Sequence, residues 1–182
     1  MSLEVTDHTR SSETAALRAL AHPLRLRMLS LLTGTAMSAA EVATELDITH
    51  ANASYHLRRL LAAGEITVVE ELMIRGGRAR RYRHAWDRYA EGAKPGISDP
   101  SARRLLLATL AGELERRSAH VGDGPQTLTD AELWVDPSAL KRVREQLITA
   151  STELHAAARA PRAEGSQRIN LTIAMFTMDA DA

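Results

Sequence analysis

The sequence predicts a mostly helical α+β chain. Three observations carry that expectation. Apolar residues recur at helical spacing as far as Ala63, the period changes after Gly64, and helical spacing returns beyond a break rich in glycine and proline near residue 95.

The first helical signal covers residues 12–21, with Leu17 and Leu20 three apart, and stops before His22-Pro23. Pro23 suits the first position of a second helix, where its missing N–H costs nothing, and His22 reads as a capping or packing residue before it. Leu24, Met28, Leu31 and Leu32 then recur on one face, and Gly34 ends the helix. Ser38 followed by Glu41 has the spacing of a capping box, which starts a third helix with Val42, Ala43 and Leu46 inward. Asp47-Ile48-Thr49 forms a short break, in which Asp47 tolerates a left-handed backbone and Thr49 caps the next helix. That fourth helix spans residues 50–63 with Ala53, Leu57, Leu60 and Leu61 inward, and Gly64 supplies the left-handed cap.

Beyond Gly64, residues 66–69 are rich in β-branched side chains and residues 80–84 read as the returning strand. Gly76-Gly77 makes the hairpin tip, since both residues take positive φ without a clash. Gly92, Lys94, Pro95 and Gly96 mark a linker, and Ser98-Asp99-Pro100 caps a helix reaching residue 119. Its stripe of Leu106, Leu107, Leu110 and Leu114 reads as a dimer seam. Residues 131–135 read as a short strand, and Asp136-Pro137 caps a helix ending near residue 158. Residues 168–178 read as a last strand, with Ile169, Leu171, Ile173 and Met175 on one face and Ala174, Phe176 and Met178 on the other. It is expected to pair with residues 131–135 or across a dimer axis. Two regions follow, one over residues 11–90 and one over residues 97–182.

Composition narrows the function classes. The chain has 182 residues and no cysteine, so disulfides and thiolate metal sites are excluded. Its start lacks the apolar core of a signal peptide and no apolar run is long enough to span a membrane, which leaves a cytoplasmic location as the expectation. Basic and acidic residues both number 23, so global charge says nothing of nucleic acid. The distribution does. Between residues 50 and 88, eight arginines (58, 59, 75, 78, 80, 81, 83, 88) face four acids (65, 70, 71, 87). No glycine-rich phosphate loop appears, and Ser54 and His56, two apart on a helix, point to different sides, so the chain is not expected to be an enzyme.

Residues 38–61 carry a helix-turn-helix signature: Ala43 lets two helices cross closely, Ile48 plugs the turn, and Ala53, Leu57 and Leu60 anchor the second helix. His50, Asn52, Ser54, Tyr55, His56 and Arg58 then lie on open faces, and their hydrogen-bonding groups suit base edges and phosphates. His56 has a second reading, as a residue held in the core between helices, and Arg58 and Arg59 have one as a solvated face. Four guanidiniums at Arg75, Arg78, Arg80 and Arg81 around a glycine turn repel one another unless an anion compensates, which points to DNA phosphates.

Ala21-His22-Pro23-Leu24-Arg25-Leu26-Arg27-Met28-Leu29, with Ser54-Tyr55-His56-Leu57 and Leu60-Leu61-Ala62-Ala63-Gly64, resembles the ArsR-type winged helix-turn-helix regulators over residues 14–88. The resemblance implies a winged helix-turn-helix domain with a β-hairpin wing; the residue patterns beyond it add a dimerising helix and a small β-α-β extension, larger than a bare domain of that family needs. It implies a homodimer whose recognition helices bind half-sites of a pseudo-palindrome in duplex DNA, and whose wings touch the flanking backbone. By the resemblance residues 49–58 form the recognition helix and Gly76-Gly77 the wing tip; together with the charge pattern, the residues assigned to DNA are Ser38, Thr49, His50, Asn52, Ser54, Tyr55, His56, Arg58, Arg59, Arg75, Arg78, Arg80 and Arg81. Metal sensors of that family hold a Cys-x-Cys pair where this chain has residues 38–42, without cysteine, and Glu113, Glu115 and His120 do not match the spacing of its other metal site. No cofactor or metal is therefore expected. A sequence-specific transcriptional regulator, acting as a repressor, is the favoured reading, and a winged-helix adaptor for other proteins is the alternative. The extension serves either as dimer scaffolding or as the wall of a pocket for a small-molecule effector.

Overall fold

The computed structural model describes residues 17–74, 77–89 and 99–179. The start of the first expected helix, Arg75 and Gly76 of the hairpin, and the linker at residues 91–96 lie outside the described residues. Residues 17–20 are helical and bring Leu17 and Ala19 into the interior. They are followed by α1 (Pro23–Gly34), β1 (Met37–Ser38), α2 (Ala39–Leu46), α3 (His50–Ala62), β2 (Ile66–Ile74) and β3 (Gly77–His84). A 3-10 turn at Trp86–Tyr89 precedes α4 (Pro100–Ser118) and α5 (Pro137–Ala156).

Local chemistry sets the helix ends. His22 caps α1, its Nδ1 accepting the Leu24 N–H at 3.2 Å, with Pro23 at the first helical position. The capping box of α2 is complete: Ser38 Oγ accepts the Glu41 N–H at 3.3 Å, and Glu41 Oε2 accepts the Ser38 N–H at 2.7 Å. Asp47 takes the left-handed conformation with φ of 53°, and Gly64 does so at 70°. Asp99 and Asp136 cap α4 and α5 by accepting amides of their first turns.

The core lies between α1, α2, α3 and the sheet. Met28, Leu32, Val42, Ala53, Leu57 and Leu60 are wholly buried there, and Tyr82 closes the core from β3. Complete burial of one such leucine stabilises by about 2 kcal/mol. The sheet is antiparallel in the order β1-β3-β2. β1 is two residues long and had no period to announce it. It pairs Met37 with Tyr82 and Ser38 with Arg81, which fastens the root of the hairpin to the start of α2. β2 and β3 run from Ile66 opposite His84 to Ile74 opposite Gly77, with an irregularity between Val68 and Glu70. Gly77 thus belongs to the strand. This is an α+β winged helix arrangement, as the sequence predicts.

Two expectations for the extension are corrected. Neither 131–135 nor 168–178 forms a strand in the chain; both are irregular, and no backbone hydrogen bond joins them to other described residues. Alternating apolar residues record a demand for burial, whereas a strand also needs a ladder partner, and the described chain places none beside them. The leucine stripe of α4 is split. Leu106, Leu107 and Leu110 are half covered by their own chain, while Leu105 and Leu114 are 52% and 45% exposed. Ala102 and Glu113 are the buried residues of that helix, and the Glu113 carboxylate is held by Arg116 at 2.7 Å and Arg117 at 3.5 Å.

Beyond α5, the chain returns to the winged domain. Arg162 pairs with Glu45 of α2, and the Arg159 carbonyl approaches Gly34 so closely that a Cβ there would overlap it. Gly34 therefore sits at the end of α1 for space. A solvent-open concavity on α5 is lined by Arg142, Glu145, Gln146, Thr149, Ala150 and Glu153, all from one helix. It lacks the enclosing apolar walls of an effector pocket. Among the described residues, no helix is long and apolar enough to cross a membrane.

Candidate nucleic-acid interface

Helix α3 divides its residues by angle. Ala53, His56, Leu57 and Leu60 fall at i, i+3, i+4 and i+7 and are buried, so Ala51, Asn52, Tyr55, Arg58, Arg59 and Ala62 face outward. Thirteen residues make the helix about 20 Å long. A groove about 12 Å wide admits such a helix. Thr49 caps it by accepting the Asn52 N–H at 3.2 Å, so its hydroxyl oxygen serves the helix end, while His50 stands exposed in the first turn. Ser54 is half-buried at the edge of the reading face and Tyr55 is 51% exposed.

His56 is not on that face. It is 7% exposed, its ring centroid lies 4.6 Å from that of His22 and 5.0 Å from that of Tyr55, and its Nδ1 is buried without a partner. The correction follows from its position, three residues from Ala53 and four from Leu60, in the inner stripe. Burial holds both His22 and His56 below the ordinary histidine range, assisted by Arg25 beside both rings and, for His56, by His22.

The charge on the outer face is uncompensated. Among the described residues no carboxylate pairs with Arg58 or Arg59, and none pairs with the buried Arg25 below them. Arg25 instead donates to the Ala19 and Arg18 carbonyls, the second at 2.8 Å, and so ties α1 to the helical turn before it. Its own proton is loosened first by burial and then by Arg59, an electrostatic sign that Arg59 adds positive potential to this end of α3.

The wing differs from its expectation. Arg78 and Arg80 both pair with Glu71, Arg80 at 2.9 Å, and hold that carboxyl below its usual range, the Arg80 hydrogen bond being the largest cause. Arg81 pairs with Glu41 at 3.1 Å and Glu70 at 3.6 Å and donates to the Ala36 carbonyl, so it locks β3 onto the α2 cap. The compensating anions are therefore supplied across the hairpin by the chain itself. The register accounts for this, because Glu71 stands opposite Arg80 and Glu70 opposite Arg81. Ser38 is likewise engaged in its capping box, and Arg75 lies outside the described residues. Arg83, outside the set that the sequence assigns to DNA, is exposed on β3 without an acid partner among the described residues. The register sets it opposite Thr67, a residue without charge.

A family model described as a helix-turn-helix domain matches residues 20–69, from the end of the first helical turn to the middle of β2. A search of curated proteins finds no relative of the chain. The matched span contains α1, α2 and α3 and hence the whole outward face of α3. Such a domain suggests a DNA-binding regulator.

Proposed function

We propose that the chain is a transcriptional regulator of the ArsR type, acting as a repressor, whose homodimer reads a pseudo-palindromic operator through α3. The observation that carries the reading is the outward face of α3, where Asn52, Tyr55, Arg58 and Arg59 combine base-edge donors and acceptors with two guanidiniums that no acid neutralises among the described residues. Asn52 suits an adenine edge, and an arginine suits guanine or phosphate. Leu107, Leu110 and the exposed Leu114, on one face of α4, supply a seam that sets two reading heads about 34 Å apart, one turn of duplex. On this reading the exposed Thr49, His50 and Arg83 contact the flanking backbone, and Arg78 and Arg80 contact it once they leave Glu71.

Fluorescence anisotropy against the protein's own promoter fragment and a scrambled duplex, at several salt concentrations, tests the reading. Tighter binding to the promoter is expected, with a salt slope that falls by about 0.9 for each phosphate contact removed by Arg58→Ala or Arg59→Ala. Absence of binding to every duplex at low salt would instead favour the protein-adaptor reading.

A further inference from the structure

The segment after α5 is apolar and exposed. Ile169, Phe176 and Met178 are each more than half exposed, and Leu171, Ile173 and Met175 are at least 40% exposed. These six residues leave on the order of 600 Å² in water, most of the ~800 Å² that one partner gives to a stable interface. Residues 167–179 also make no backbone hydrogen bond to any described residue, so their donors and acceptors are open for a ladder. One anchor fixes the segment: Arg117 donates to Asn170 at 2.9 Å, which sets it beside the end of α4, one turn from the exposed Leu114.

We propose that two copies of the chain pair through residues 168–178 as antiparallel strands about a two-fold axis at Ile173, an inference that rests on the homodimer reading above. A two-fold axis between antiparallel neighbours requires a central residue to face its own copy. Centring on Ile173 sets Leu171 opposite Met175 and Ile169 opposite Thr177. Because side chains alternate, Ile169, Leu171, Ile173 and Met175 of both copies then share one face. Centring on Ala174 would set Ile169 opposite Asp179, and parallel pairing would stack Arg168 on Arg168 and Asp179 on Asp179. The antiparallel arrangement instead gives each end one of each charge. The segment thus meets its demand for a ladder partner only when a second copy arrives, and it extends the α4 seam through the Arg117–Asn170 anchor.

Because the full chain has no cysteine, single replacements report the register directly. Ile173→Cys would face its own copy with Cβ atoms about 5 Å apart, close enough to oxidise to a disulfide. Leu171→Cys and Met175→Cys would each stand about 13 Å from their own copies, but opposite one another. Mild oxidation is expected to give a covalent dimer from Ile173→Cys, and a covalent heterodimer when Leu171→Cys and Met175→Cys are co-expressed with different tags. Either of the latter alone is expected to give roughly tenfold less. Equal yields from all three would overturn the register, and no product from any would overturn the pairing. Anisotropy on the same samples separates the two readings. Promoter binding without cross-linking sinks the strand pairing alone, and cross-linking without binding to any duplex sinks the regulator reading alone.

Discussion

Acid should destabilise this fold through the His22–His56 contact, and His56→Phe should remove about half of the effect. Both imidazoles are held below the ordinary histidine range, first by burial and then by Arg25 and, at His56, by His22 as well. In the unfolded chain each ring takes up a proton as the pH falls through about 6.5. The folded chain does not follow until lower pH, so unfolding binds protons and stability falls with decreasing pH. The stability these rings contribute is therefore complete above about pH 7, declines below about 6.5 and is lost through the lower, folded pKa values. Each ring kept neutral adds at most about 1.4 kcal/mol per pH unit to the slope, so the pair gives up to about 2.7. Phenylalanine at 56 keeps the ring packing on His22 and Tyr55 and removes a buried Nδ1 that has no partner, so at pH 8 it should be neutral or slightly stabilising. Urea denaturation of both proteins between pH 5.5 and 8.5, at constant ionic strength, measures the difference with the remaining histidines common to both. An unchanged slope in the variant, or stability that rises as the pH falls, would refute the reasoning.

Replacing Glu71 by Gln releases Arg78 and Arg80 together, and DNA affinity at low salt should rise about threefold with a salt slope steeper by about 1; weaker binding in the same titration would mean that the pair orders the wing for DNA. Leu57→Ala leaves a void in a wholly buried position between α1 and the sheet and should cost about 3 kcal/mol in urea denaturation. Gly34→Ala places a methyl group against the Arg159 carbonyl, so the 159–162 turn should leave α1 and α2; faster tryptic cleavage at Arg159 and Arg162, with helix content unchanged by circular dichroism, is the expected outcome.

The helices were legible because one apolar stripe encodes each of them: Leu24, Met28, Leu31 and Leu32 for α1, and Ala53, Leu57 and Leu60 for α3. Caps at Ser38, Thr49, Asp99 and Asp136 fixed their starts. Within the same helix His56 shows the limit of reading by residue type, since its polar ring argued for solvent while its spacing placed it inside. The wing arginines show another limit. Their repulsion was correctly counted, but hairpin register, which sets 70 opposite 81 and 71 opposite 80, decides which acids answer them. β1 escaped notice because two residues carry no periodicity; Gly34 was read as the end of α1, but its close approach to residue 159 is a fact of tertiary packing alone. The strands expected at 131–135 and 168–178 failed within the chain for want of a neighbour.

The angular division of α3 separates two kinds of change. Ala51, Asn52, Arg58 and Arg59 are exposed and lie outside the buried stripe, so on the proposed reading the DNA preference can drift or be redesigned at those positions while stability stays nearly constant, whereas Tyr55 also packs on the buried His56. Ala53, Leu57 and Leu60 enjoy no such freedom. A library randomised on the outer face alone would therefore sample new operators from folded proteins, and a lineage of such proteins can acquire new target genes without first acquiring spare stability.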